Sequence, residues 1–216
     1  MQKEFKSRGL SLGPGAVYLP GHLDVDTQRQ LAKEIKEILE QAPLFVPRMP
    51  RTGQPFSVRM SNCGTLGWVS DAARGYRYQA THPDTDQPWP AMPGRLLDIW
   101  RQVAPAAREP EACLINLYAG GARMGSHRDA DEQDFAAPVV SVSLGDTATF
   151  HVGGLARRDP KQRIRLGSGD VVVLGGKARL AYHGIDRIHA GTSRLLAEAG
   201  IADGGRINLT LRRVNP

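Results

Sequence analysis

"ACLINLYAGGARMGSHRDADE", residues 112–132, holds the transition on which the fold turns. Its first part, 112–119, is an apolar run closed by Gly120 and Gly121, which reads as a strand followed by a turn. Its second part crowds His127, Asp129, Asp131 and Glu132 together, in a chain whose net charge is +6. That local repulsion asks for a reason. On an extended backbone, residues i and i+2 point to the same side, so His127 and Asp129 can converge on one ion. Imidazole with carboxylate suits iron, manganese or zinc. The pair lies at the rim of a β-region, a good position for a site.

Working outward, "PVVSVSLG", "TATFHVGG", "RIRLG", "DVVVLGG" and "RINLTLRR" repeat the pattern of the first run. Each is short, apolar or β-branched, and punctuated by Gly, Asp or Pro. Many short strands with regular turns predict an antiparallel sandwich or barrel. Upstream, residues 24–41 read as a helix. Asp24 or Asp26 can cap it, Leu31, Ile35, Ile38 and Leu39 form one apolar face, and Pro43 follows its end. A second helix is expected over 94–103, after Pro93. Residues 43–93 between them are proline-rich and read as irregular.

The 216 residues suit one domain with a sizeable core, at 41% hydrophobic and 23% charged. No apolar run approaches membrane-spanning length, and the first ten residues lack an apolar signal core. Cys63 and Cys113 are the only cysteines and lie far apart in sequence, so no disulfide framework is expected, and a reducing cytoplasm fits. The positive balance suits nucleic acid or an anionic substrate.

Six His and fourteen Asp would give less than one His-x-Asp pair by chance, yet the chain has three. His22 with Asp24 sits at a helix cap, and His82-Pro83-Asp84 sits in a turn, so both are set aside. A mononuclear site on His127 and Asp129 needs a further ligand. Pattern leaves His151, His183 and His189 open. His183 is favoured by its flanks, Tyr182 and Gly184, while His151 alternates within a strand and can simply face solvent. Two histidines and a carboxylate form the facial triad of non-haem Fe(II) oxygenases. In "RINLTLRR", Arg206, Asn208, Thr210 and Arg212 share one strand face. An ordinary wet sheet face explains that alternation. So does a seat for a dicarboxylate, because guanidinium forks match carboxylates.

These stretches, with "MSNCGTLGW", "PWPAMP", "APVVSVSLG" and "GDVVVLGGKARLAYHGI", resemble the bacterial AlkB family of Fe(II)- and 2-oxoglutarate-dependent nucleic-acid dealkylation repair dioxygenases. The resemblance runs from about Gly13 to Arg213. It implies a mostly β fold with flanking helices (α+β), a double-stranded β-helix or jelly-roll. Within one domain, 1–216, it implies N-terminal helices and a nucleotide-recognition lid over 13–111, and a catalytic core over 112–213. The implied activity is oxidative demethylation of 1-methyladenine and 3-methylcytosine in DNA, and also in RNA. Fe(II), O2 and the cosubstrate 2-oxoglutarate are required, and formaldehyde, succinate and CO2 are released. The implied setting is a cytoplasmic monomer acting on alkylated single-stranded DNA, with double-stranded DNA and RNA open. Two rivals are a 2-oxoglutarate hydroxylase of a peptide or small molecule, and a non-catalytic nucleic-acid-binding module.

Residue by residue, the resemblance makes His127, Asp129 and His183 the iron ligands. Arg206 would hold the distal carboxylate of 2-oxoglutarate, with Arg212, Asn116, Tyr118 and Asn208 as further cosubstrate contacts. Trp68 and His127 would sandwich the extruded base. Asp131 would face the base, favouring the positive charge that N-methylation leaves on it. Glu132 either supports that site or solvates its loop, and Arg128 is expected to point away. Tyr76 and Tyr78 would lie beside the substrate backbone, with Arg157 as a phosphate contact. "RRDPKQRIR", 157–165, and Arg48, Arg51, Arg59, Arg74 and Arg77 extend that basic character. Leu117, Leu174 and a long segment before Arg206 depart from the family pattern and are expected to bear on the cosubstrate pocket.

Overall fold

The computed structural model describes residues 9–216. The reading of the first ten residues as lacking a signal core falls mostly on 1–8, outside the described residues. Along the chain run β1 (Leu10–Ser11), β2 (Ala16–Leu19), α1 (Val25–Gln41), β3 (Arg59–Gly64), β4 (Gly67–Asp71), β5 (Gly75–Gln79) and α2 (Gly94–Val103). Then follow β6 (Ala112–Tyr118), β7 (Met124–His127), β8 (Val139–Gly145), β9 (Thr147–Val152), β10 (Gln162–Leu166), β11 (Val171–Leu174), β12 (His183–His189), α3 (Leu195–Glu198) and β13 (Arg206–Arg212).

The strands form a major sheet ordered β1-β2-β11-β8-β13-β6-β3, a minor sheet ordered β10-β9-β12-β7, and the β4-β5 hairpin. Every pairing is antiparallel. The fold is a double-stranded β-helix. β2 and β3 belong to the major sheet, so that sheet draws strands from both sides of residue 111.

Two apolar cores follow from strand alternation. Ile207, Leu209 and Leu211 of β13, with Ile115, Leu117, Val140 and Val142, pack under Leu31 and Ile35 of α1 and Leu96 and Trp100 of α2. α1 begins where Asp24 caps it, its carboxylate accepting from the Thr27 amide at 2.8 Å. Such a cap is worth about 1 kcal/mol. Its buried stripe, Leu31, Ala32, Ile35 and Ile38, repeats at helical spacing. The second core fills the space between the sheets, with Phe150, Val152, Leu166, Val172, Leu174 and Ile185 among its members.

Three expectations change here. Residues 43–93 are not irregular throughout, since they contain β3, β4 and β5. The polar face of β13 is not wet: Arg206, Thr210 and Arg212 are buried because that face looks across to the minor sheet. His151 does not face solvent either. It is buried, and its Nδ1 bonds Asp186 at 2.8 Å. The other two His-x-Asp pairs are structural as read. Asp24 is the cap, and buried His82 takes the Asp84 and Thr85 amides on Nδ1 and donates from Nε2 to the Pro43 carbonyl. Cys63 and Cys113, distant in sequence, sit opposite each other across β3 and β6, both buried and free.

Candidate active site

The minor sheet brings the triad together. β7 ends at His127, β12 begins at His183, and the two strands pair with His183 opposite His127. Asp129 follows two residues on. The ligating atoms of His127, Asp129 and His183 all lie within 4.8 Å of one another. His127 Nε2 is 3.8 Å from Asp129 Oδ1, and His183 Nε2 is 3.6 Å from Oδ2. His127 Nδ1 meets the Gly125 carbonyl at 2.9 Å, and His183 Nδ1 meets the Ala181 carbonyl at 3.0 Å. A carbonyl only accepts, so each ring carries its proton on Nδ1 and turns a free Nε2 lone pair inward.

The electrostatics prepare the same donors. Burial pushes the Asp129 carboxyl upward, but Arg212, His183 and His127 outweigh it and bring its pKa down to about 2. Burial, then the neighbouring His127, lowers His183 to about 4. At neutral pH the set is therefore a carboxylate with a neutral His183. Asp129 Oδ2 is buried without a hydrogen-bond partner, 3.6 Å from the lone pair of His183 Nε2. An acceptor oxygen buried among acceptors is costly unless a cation joins them. The donor set fits a divalent ion of the iron class, with positions left for other ligands.

Asp129 is held from behind. Arg212 Nη2 donates to its Oδ1 at 2.7 Å, and Arg212 Nη1 donates to Glu132 Oε1 at 2.9 Å. Arg179 donates to Glu132 Oε2 at 3.0 Å and to the carbonyls of Asp129 and Ala137. The Tyr78 hydroxyl donates to Glu132 Oε1 and accepts from Arg212 at 3.0 Å. Glu132 is thus buried and supports the site, which decides between its two readings. The Tyr78 hydroxyl lies inside this network. Arg212 gives its guanidinium to Asp129 and Glu132, while its side chain still lines the cavity. Sequence reasoning missed Arg179, and its only signal was membership of "GGKARLAYHGI".

The triad opens into a cavity of about 350 Å³ between the sheets. At its closed end lie Asn116, Tyr118, Leu166, Val172, Leu174 and Arg206. Arg206 is fully buried. Nη2 donates to Ser143 Oγ at 2.6 Å, and Nε has no partner. Among the described residues no carboxylate forms an ion pair with it, and burial lowers its pKa to about 10. Asn116 Oδ1 is likewise buried without a partner. Asn208 lines the cavity and donates to Ser141 Oγ at 2.6 Å. A buried guanidinium with no carboxylate in direct ion-pair contact is a site for an anion. Of the two leucine departures, Leu174 lines this cavity, whereas Leu117 points into the helix-side core. The long segment before Arg206 folds as α3 against α1 and β8, away from the cavity.

At the exposed end stand Trp68, Tyr76, Arg128, Asp131, Arg157 and Tyr182. Asn62 fixes the Trp68 backbone through both its amide and its carbonyl. The indole Nε1 donates to Asp131 Oδ2 at 2.8 Å, and Tyr76 stacks on the ring at 5.5 Å. Arg128 does not point away, contrary to expectation. Its guanidinium lies 5.8 Å from the Tyr182 ring centre, and that of Arg157 lies 5.2 Å from it. Arg77 is tied to Asp71 at 2.7 Å.

Comparison with known proteins agrees with this geometry. Residues 15–212 match the family described as the 2OG-Fe(II) oxygenase superfamily. An alpha-ketoglutarate-dependent dioxygenase AlkB homolog of Caulobacter vibrioides is 51% identical over 207 residues, 96% of this chain and 91% of the relative. The alpha-ketoglutarate-dependent dioxygenase AlkB of Escherichia coli is 43% identical over 206 residues, 94% of this chain and 91% of the relative. The solved structure of OsALKBH1 superposes with a TM-score of 0.82 at 29% identity, covering 95% of this chain and 99% of that one. Matched along nearly its whole length in sequence and fold, this chain belongs to the AlkB family of the 2OG-Fe(II) oxygenase superfamily.

Proposed function

We propose that this protein repairs alkylated nucleic acid directly, by oxidative demethylation of 1-methyladenine and 3-methylcytosine in DNA. One cavity carries the reading, because it joins a His-Asp-His donor set, an unpaired buried guanidinium and an aromatic-acidic mouth. His127, Asp129 and His183 are the iron ligands. Iron held there would supply the oxidising chemistry, in which 2-oxoglutarate and O2 would give succinate and CO2 and the substrate methyl group would be hydroxylated. The resulting hemiaminal breaks its C–N bond, giving formaldehyde and the repaired base.

The chain's own residues bind and orient. Arg206 takes the distal carboxylate of 2-oxoglutarate, and Asn116, Tyr118 and Asn208 offer hydrogen bonds beside it. Arg212 keeps Asp129 ionised and turned toward the metal. Trp68 and His127 flank the base, with Tyr76 backing the indole. Asp131 is anchored by the indole N–H at 2.8 Å and presents negative charge to a cationic ring. Arg157 meets a phosphate at the mouth. The β4-β5 hairpin, which carries Trp68 and Tyr76, acts as the nucleotide lid within 13–111, over a catalytic core that 112–213 forms together with β2 and β3. The reading extends to a monomer in the cytoplasm that works on single-stranded DNA and also on RNA.

Anaerobic loading with Fe(II) and 2-oxoglutarate, followed by oxygen and a methylated oligonucleotide, tests it. Formaldehyde should appear in proportion to repaired base. Turnover of a peptide or small molecule with no formaldehyde from methylated DNA would replace it.

A further inference from the structure

"RRDPKQRIR" carries five positive charges and one negative charge, and the structure shows where they lead. Asp159 is used by its own turn: its Oδ2 accepts from the Ala156 amide at 2.9 Å. The run then enters β10. Ile164 packs against the inter-sheet core and Leu166 is buried in it, so alternation turns Arg163 and Arg165 to the outer face of the minor sheet. Register places Arg165 opposite Thr149 on one side, and Arg187 of β12 opposite Thr149 on the other. With strands about 4.8 Å apart, the two arginine backbones stand roughly 10 Å apart across Thr149. Thr149 Oγ1 also lies 2.8 Å from His189 Nε2.

The carboxylate beside this row is Asp186, and both its oxygens are taken. Oδ1 holds His151 Nδ1 at 2.8 Å, and Oδ2 holds Arg163 Nε at 2.9 Å. Among the described residues, neither Arg165 nor Arg187 forms an ion pair. His189 sits below the usual imidazole range, through desolvation and then through Arg165 and Arg187 beside it. The row does not stand alone. The segment that leads into β10 carries Arg157, which with Arg128 lies against the Tyr182 ring at the cavity mouth. Exposed cations on one sheet face, on the strand that follows a mouth proposed to receive nucleic acid, match a linear polyanion.

We propose that the outer face of the minor sheet, centred on Arg165, Thr149 and Arg187, binds the phosphodiester backbone of the nucleic acid flanking the lesion. This rests on the function proposed above. The contacts are to phosphates, so they add affinity without reading sequence. They also make affinity depend on strand length, because a short lesion-bearing oligonucleotide fills the mouth and leaves the row empty.

The test compares wild type with the Arg165→Ala/Arg187→Ala double variant. Both side chains are exposed, and thermal unfolding should be unchanged. Binding of unmethylated single-stranded oligonucleotides, from trinucleotide upward, is measured against salt. The wild type should gain affinity with length. The double variant should lose that gain, and its log–log salt slope should flatten by roughly 0.7 for each phosphate contact removed. Its initial rate on a saturating methylated trinucleotide should equal that of wild type. Identical slopes and identical length dependence would overturn the proposal, even with demethylation intact. A length effect that the variant abolishes would uphold it, even if no methylated base is repaired. Equal competition by poly-glutamate of matched charge would make the face a general anion surface, and would overturn its assignment to nucleic acid.

Discussion

Replacing Glu132 with alanine tests the network behind the triad. The Glu132 side chain is fully buried and accepts from Tyr78, Arg179 and Arg212. Its two arginine partners are also buried, at 3% and 7% side-chain exposure, so solvent screens these pairs little. Removing one partner of a buried pair leaves uncompensated charge and typically costs about 3–5 kcal/mol. Arg212 keeps Asp129 at 2.7 Å, and Arg179 keeps two carbonyls, which argues for the lower end. At about 2–4 °C per kcal/mol for a chain of this size, 3 kcal/mol lowers Tm by roughly 6–12 °C. Calorimetry on metal-free protein is the assay, since bound iron and cosubstrate would mask the effect. Glu132→Gln keeps the shape and one acceptor, and should fall less. A Tm within about 2 °C of wild type for Glu132→Ala would refute the network as a source of stability.

Three further outcomes follow from the same geometry. His183→Ala should abolish demethylation and greatly weaken Fe(II) binding, whereas His189→Ala should retain demethylation; isothermal titration and formaldehyde assays read both. Arg206→Ala should raise the 2-oxoglutarate requirement roughly ten- to over a hundredfold, the equivalent of about 1.5–3 kcal/mol for a charge-assisted contact, with Fe(II) affinity retained. An unchanged cosubstrate titration would remove Arg206 from that role. Asp131→Ala should lose more activity on cationic 1-methyladenine and 3-methylcytosine than on neutral 1-methylguanine; an unchanged ratio at full iron occupancy would sink the charge-reading role.

The elements legible in sequence are those set by local pattern. The α1 stripe and its Asp24 cap repeat at helical spacing, and β6, β8, β11 and β13 are apolar runs between turn residues. β3 was missed because its polar side chains find distant partners: Ser61 donates to the Ala42 carbonyl, and Asn62 clasps the Trp68 backbone. β7 and β12 were missed because "MGSH" and "HGIDRIH" are polar and held by pairing across the minor sheet. Spacing found His127 and Asp129. It could only favour His183 among three histidines, because the register that sets His183 opposite His127 is non-local. Arg179 and the inward turn of Tyr78 depend on Glu132, which sequence left between two readings. The wet-face reading of β13 failed because alternation gives two faces but not what covers them.

The coupling of cosubstrate decarboxylation to methyl removal at this site is tested most directly in a single turnover. Wild-type protein, loaded with Fe(II) and 2-oxoglutarate, is given oxygen and an oligonucleotide carrying one 1-methyladenine, and succinate and oligonucleotide mass are measured together. The oligonucleotide should lose the mass of one methylene for each succinate formed. Succinate accumulating while the oligonucleotide mass stays fixed, with iron bound, would contradict nucleic-acid demethylation as the work of this cavity.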